Sequence, residues 1–156
     1  IGVTPSPSNC FLLNLGLETL PLRMERHCSN ALTVAKYFEN NSKVISVNYP
    51  GLKNDKYFNM GRRYMPKGSS GIVSLRVKGG RKAAEKFMNN MNLASRVVHV
   101  ADIRTCILHP ASTTHRQLSE SQLSEAGIYQ DFLRFSVGVE YIDDIIDDIE
   151  NSLKSL

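Results

Sequence analysis

Of all the side chains in this sequence, Arg134 has the surroundings that most demand a chemical partner. It stands inside Phe132-Leu-Arg-Phe-Ser-Val-Gly-Val139, an otherwise apolar run with the composition of a strand. The two-residue period of a strand puts Arg134 on one face with Phe132, Ser136 and Gly138. A cation on a largely apolar strand loses its hydration and is costly unless an anion meets it. The flat guanidinium fork matches a carboxylate, which it can grip through two parallel N–H bonds. Two kinds of carboxylate qualify. One is internal, from the acidic C-terminal group Asp143, Asp144, Asp147, Asp148 and Glu150; the other belongs to a ligand. Position along the chain does not choose between them.

Other reactive residue types are present without the spacing that would put them to work. His109 and His115 lack the separation of a metal pair, and no acidic ligand stands close to them. These histidines are expected in core or loop positions, with no metal site. No serine sits in a nucleophile-elbow pattern, and Gly79-Gly80 and Gly68-Ser-Ser-Gly71 lack the glycine run that cradles a phosphate. The three cysteines, Cys10, Cys28 and Cys106, are odd in number and far apart, as free thiols in a reducing cytoplasm would be.

Composition narrows the class further. The chain has 156 residues, 42% of them apolar and 22% charged, which suits one globular domain with its own core. No apolar stretch is long enough for a membrane helix. The net charge is +4, but the basic residues are scattered (Arg62-Arg63, Lys78, Arg81-Lys82, Lys86) and the C-terminus is acidic. This distribution argues against a nucleic-acid surface.

The elements that must position Arg134 follow from periodicity. Residues 1–10 read as an extended lead-in to a helix, with Ser8 and Asn9 as capping candidates. A helical pattern then runs to about Asn40, with Leu20, Met24, His27, Cys28, Ala31, Val34, Ala35 and Phe38 on one side. Gly16 and Pro21 predict a kink or restart at Thr19–Pro21. Val44–Tyr49 and Gly71–Lys78 read as strands, Tyr57–Tyr64 and Arg81–Asn90 as helices. Arg96–Val100 and Cys106–His109 follow as strands, Ala111–His115 as loop, and Ser119–Ala126 as a weakly capped short helix. Phe132–Val139 is the last strand and Tyr141–Leu156 the last helix, with Ile142, Ile145, Ile146, Ile149 and Leu153 aligned. The expected fold is α+β, a mixed or antiparallel sheet with helices packed on one face.

Several segments taken together resemble the Cys/Met-metabolism family of pyridoxal-phosphate enzymes. They are Ser6-Pro-Ser-Asn-Cys-Phe-Leu-Leu, Gly16-Leu-Glu-Thr-Leu-Pro-Leu-Arg-Met-Glu-Arg-His27, Val44 to Leu52 with Asn48-Tyr-Pro-Gly-Leu52, His109-Pro-Ala-Ser-Thr-Thr-His115, and Arg134-Phe-Ser-Val-Gly-Val-Glu140. Their order and spacing match along essentially the whole chain. Ser112 to Gly127 is most similar to the O-acetylhomoserine sulfhydrylases, with cystathionine γ-synthases, cystathionine γ-lyases and methionine γ-lyases as the near alternatives. A stand-alone structural or binding module descended from the same domain is the alternative of a different class.

The resemblance implies the small C-terminal domain of a fold-type I enzyme over residues 1–156, with 1–40 including the inter-domain helix. The family's cofactor lysine, in a Ser-x-Thr-Lys motif, is expected in a larger domain outside this sequence, and the initial Ile1 agrees with a cut. Thr33-Val-Ala-Lys36-Tyr37 is superficially similar, but it lies in a helical pattern, so Lys36 is expected at the surface. Within these residues the resemblance implies no catalytic residue and no cofactor contact. It assigns Arg134 to the substrate α-carboxylate. His99, where the family commonly has Asn or Ser, the Val100 backbone amide and Thr105 are assigned to a second contact. In the full enzyme it implies O-acetylhomoserine and sulfide or a thiol as substrates and a homotetramer. The bound pyridoxal phosphate would serve as electron sink for replacement of the γ-acetyl group. The isolated 156 residues are expected to be inactive.

Overall fold

The computed structural model describes residues 4–156; the first part of the expected lead-in lies outside them. Helix α1 (Pro7–Glu18) starts earlier than expected. Ser6, rather than Ser8 or Asn9, is its cap: the Ser6 hydroxyl accepts from Asn9 N at 3.2 Å, and Pro7 occupies the first helical position. There proline loses nothing, since that N–H has no helical partner in any case. The chain restarts at Thr19 into helix α2 (Leu20–Glu39), as Pro21 predicts, while Gly16 lies inside α1. Helix α2 buries His27, Asn30, Ala31, Val34, Ala35 and Phe38, but Leu20 and Met24 in its first turns stay substantially exposed.

Five strands form one mixed sheet in the order β1-β2-β5-β4-β3. They are β1 (Val44–Asn48), β2 (Ile72–Val77), β3 (Ser95–Arg96), β4 (Cys106–Leu108) and β5 (Phe132–Ser136). All pairs are antiparallel except β3 with β4. Helices α3 (Phe58–Tyr64), α4 (Gly80–Asn90), α5 (Glu120–Glu125) and α6 (Ile142–Lys154) complete the fold. Val73, Leu75 and Val77 of β2, Leu133 and Phe135 of β5, and Ile107 of β4 share one core with α2, α4 and α6. The expected α+β fold with helices on one face is therefore present. Phe135 packs its ring 5.5 Å from Phe38 of α2 and 6.1 Å from Phe87 of α4, measured between centroids. Burying Phe135 and Leu133 determines where Arg134 goes. In a strand the intervening residue must face away, and a one-residue slip would exchange the two faces.

Three local expectations need correction. The strand expected over Arg96–Val100 is only Ser95–Arg96, because the chain leaves the sheet to cross its open face. Pro110–Ser112 is a 3₁₀ turn rather than plain loop. Helix α5 is well capped, since Ser119 and Gln122 form a reciprocal capping box.

Polar groups pin the remaining connections. Asp148 of α6 accepts from the backbone N–H groups of Asn92, Leu93 and Ala94 at 2.8–3.1 Å, fixing the turn that enters β3. Tyr49, 1% exposed, donates to Ser70 O at 2.9 Å, and burial pushes its hydroxyl up to about 12. An unfolded tyrosine ionises near pH 10, so this contribution to stability is complete below about pH 10 and is lost as pH rises towards 12. In a tyrosinate absorbance titration the last step should fall near pH 12 and disappear in Tyr49→Phe. Full ionisation of all tyrosines by about pH 10.5 would contradict it.

Candidate functional site

The strand register assembles the face opposite the core. Arg134 of β5 lies opposite Ser74 of β2 and Leu108 of β4, and Ser136 lies opposite Ile72 and Cys106. Arg76 faces Phe132 on the same side. None of these residues is a lysine. Two arginines thus share one sheet face, and their fates differ. Arg76 is held by a fork of 2.7 and 3.0 Å to Asp131, and its guanidinium carbon lies 3.9 Å from the centre of the Tyr129 ring. Arg134 is half-buried, and the only side-chain hydrogen bond it makes among the described residues is Nη2 donating to Val98 O at 2.9 Å. Its Nε–H is buried without any partner. No carboxylate among the described residues forms an ion pair with it. The C-terminal acids do not reach it, and Asp148 is engaged with the turn before β3.

Residues 97–105 run over this face because of the connection they must make. Parallel strands normally need a dozen or more residues between them, and β3 and β4 have only this stretch. Ala101 adopts φ +61°, the only left-handed backbone at a non-glycine among the described residues. For alanine this costs about 1 kcal/mol. Ala101 N donates to Ser136 Oγ at 3.2 Å, and Val139 N donates to Ile103 O at 2.9 Å. The Asp102 carboxylate is the loop's hub, accepting from Arg104 N, Arg104 Nη2 and His99 Nδ1 at 3.0–3.2 Å. The Arg104 contacts first, then His99, hold Asp102 well below the usual carboxylate range.

The residues singled out in sequence therefore fall into two groups. Arg134, His99 and Val100 lie together on the loop-covered face, with His99 and Val100 exposed. Thr105 is fully buried instead. Its hydroxyl donates to Glu140 Oε2 and accepts from Gly138 N, both at 2.9 Å, while its own N–H donates to Glu140 Oε1 at 2.6 Å. Its polar groups are used inside the protein. Helix α2 holds the same segment from below: His27 Nδ1 donates to Val137 O at 2.6 Å, and Asn30 Nδ2 donates to Gly138 O and Glu140 O. His109 is likewise structural, buried between Ser112 Oγ and Gln130 O. Cys106 lies beneath the loop, and burial pushes its thiol up, away from nucleophilic use.

Sequence reasoning missed Asp102, Ala101 and Glu140. Glu140 closes the segment that begins at Arg134, but it lies beyond the end of β5, so strand alternation gave no signal for it. Nothing in an alanine's identity announces a left-handed backbone, so Ala101 had no signal either.

Comparison with known proteins gives the family. A family model described as Cys/Met metabolism PLP-dependent enzyme matches residues 1–154. The chain is 43% identical to an O-acetyl-L-homoserine sulfhydrylase of Leptospira meyeri, covering all of this chain and 36% of that protein. It is 42% identical to a homocysteine synthase of Schizosaccharomyces pombe, over 99% of this chain and 36% of that one. A crystal structure from Campylobacter jejuni, described as an O-acetylhomoserine (thiol)-lyase with N'-pyridoxyl-lysine-5'-monophosphate, superposes with a TM-score of 0.90. Its identity is 36%, over 98% of this chain and 36% of that one. This chain thus spans little more than a third of the length of these relatives. A match along nearly the whole sequence, at these identities and with the same fold, places the chain in the Cys/Met metabolism family of pyridoxal-phosphate-dependent enzymes.

Proposed function

We propose that this chain is the C-terminal, substrate-carboxylate-binding domain of a pyridoxal-phosphate-dependent O-acetylhomoserine sulfhydrylase. The observation that carries the reading is the contrast between the two arginines on the open sheet face. Arg76 is fully partnered, whereas Arg134 keeps a buried N–H unpaired. Buried polar groups are nearly always satisfied, and of the two exceptions among the described residues, Gln130 Oε1 and Arg134 Nε, only the second belongs to a charged group, which supports an anionic partner. A carboxylate is the partner that a guanidinium fork fits best.

The residues on this face do not fit the cofactor itself. No strand residue on the Arg134 side is a lysine, and Lys36 is exposed in the last turn of α2. Pyridoxal phosphate, the family's cofactor, supplies the electron sink when bound. This chain's part is to grip the amino acid by its carboxylate and so fix the orientation of its reacting bonds.

The full-length protein should convert O-acetyl-L-homoserine and sulfide to homocysteine, and prefer that substrate strongly over its α-carboxamide. The charge-assisted bonds at stake correspond to a preference of about tenfold to a hundredfold in kcat/KM. Equal use of acid and amide would remove the carboxylate reading. A methionine γ-lyase of Porphyromonas gingivalis is also 37% identical to this chain, so methionine should be assayed alongside. Thiol release from methionine, without sulfide-dependent turnover, would move the assignment to that activity.

A further inference from the structure

The loop and the segment after Arg134 are joined by one hydrogen-bonded network, while the Arg134 Nε itself has no partner among the described residues. From Ser136 to Glu140, the segment after Arg134 is tied to residues 101–105 at four points. Ser136 Oγ accepts from Ala101 N, Gly138 N donates to Thr105 Oγ1, Val139 N donates to Ile103 O, and the Glu140 carboxylate accepts from both Thr105 N and Thr105 Oγ1. At its other end the loop carries the Val98 carbonyl, which is the acceptor for Arg134 Nη2. Asp102 closes the loop on itself through His99 and Arg104. Between these ties sits Ala101, in a backbone conformation that alanine adopts only when its surroundings impose it.

We infer that Glu140 and Asp102 are positioning residues. Together they hold the 97–105 loop in its strained crossing, seat the Val98 carbonyl on Arg134 Nη2, and leave the remaining guanidinium N–H groups aimed at the ligand. The inference rests on the carboxylate-binding reading of Arg134 and adds the machinery that orients it. Glu140 acts at a distance: it touches Thr105, Thr105 ends the loop, and the loop positions the carbonyl that turns the arginine. A network that fixes the loop across one unpartnered buried donor, and spends backbone strain to do so, is preorganised for a group that arrives later.

The test is a double-mutant cycle in the full-length protein. Glu140→Gln keeps the shape but removes the charge: its amide oxygen can accept from Thr105 N, while its NH₂ group can only donate to Thr105 Oγ1, so both charge-assisted bonds are lost and the hydroxyl must turn away. KM for O-acetylhomoserine should rise about tenfold, the scale of one charge-assisted hydrogen bond, while kcat changes by less than about twofold. Thr105→Val, which removes the hydroxyl without changing size, should reproduce the KM effect and stands in if Glu140→Gln does not fold. Asp102→Asn should shift KM in the same direction. In an Arg134→Ala background Glu140→Gln should add nothing to KM, because no guanidinium is left to aim. A purely structural role would lower melting temperature and kcat together and would add independently to Arg134→Ala. That pattern, or an unchanged KM in both Glu140→Gln and Thr105→Val, overturns the inference. An Arg134→Ala enzyme with unchanged KM would instead sink the carboxylate reading beneath it, so the two failures are distinguishable.

Discussion

Arg134→Ala in the full-length protein should raise KM for O-acetylhomoserine by about 10²–10³-fold, the usual cost of deleting one partner of a desolvated, hydrogen-bonded charge pair. The size of the effect follows from the structure around the side chain. Its Nη2 already holds Val98 O, and its buried Nε–H has no acceptor among the described residues. The carboxylate would therefore be the arginine's only anion, with no internal acid to share it. kcat should fall as well, because a substrate gripped at one end less firmly presents its reacting bonds less often in the productive orientation. Arg134→Lys should recover little of the loss. An ammonium is a point charge that cannot hold Val98 O and a carboxylate in one plane as the fork does. Steady-state kinetics of the three proteins, with circular dichroism to verify folding, decide the matter. An alanine variant with wild-type KM would remove Arg134 from substrate binding.

Gly138→Ala should cost about 3 kcal/mol of stability, at the upper end of what overpacking a tight site produces. A Cβ at this position would stand 2.5 Å from Thr105 N and 2.6 Å from Arg104 C, and closer still to Glu140 Oε2. A flexible carboxylate could swing aside, but two of the three obstacles are backbone atoms of the loop that crosses the Arg134 face. Displacing them breaks the Glu140 and Thr105 bonds that end that loop. The variant should therefore unfold at clearly lower denaturant concentration and also bind O-acetylhomoserine more weakly. Ala101→Gly offers the opposite control, because glycine relieves the left-handed backbone there without touching a hydrogen bond. A Gly138→Ala protein with unchanged unfolding midpoint would mean that the loop yields easily, contrary to the packing described.

Much of the frame was legible from periodicity alone. The alternation of Ile72, Ser74 and Arg76 against Val73, Leu75 and Val77 is the observed exposure pattern of β2, and the aligned isoleucines of α6 do face the core. Strand and helix periods are local, so the residues themselves carry that information. The failures cluster in the segment from Arg96 to Thr105. There Val97, Val98 and Val100 have strong strand propensity, yet the chain is drawn out of the sheet. The pull comes from partners distant in sequence, Ser136, Gly138 and Glu140, and propensity has no means of sensing them.

The sequence by itself determined the core face, the presence of an arginine that must point away from it, and a set of motifs specific enough to identify the family. It left open whether that arginine answered an internal acid or a ligand, since both choices have the same local sequence. The tertiary structure narrows the choice by pairing Arg76 with Asp131, engaging Asp148 with the turn before β3, and leaving the Arg134 Nε buried without a partner among the described residues, which supports the proposed ligand. It also reassigned Thr105 from the ligand to the scaffold. The physical reason is the same in each case. A side chain's propensity and period are properties of its neighbours in sequence, whereas which acceptor satisfies a given donor depends on which distant groups the fold brings within about 3 Å.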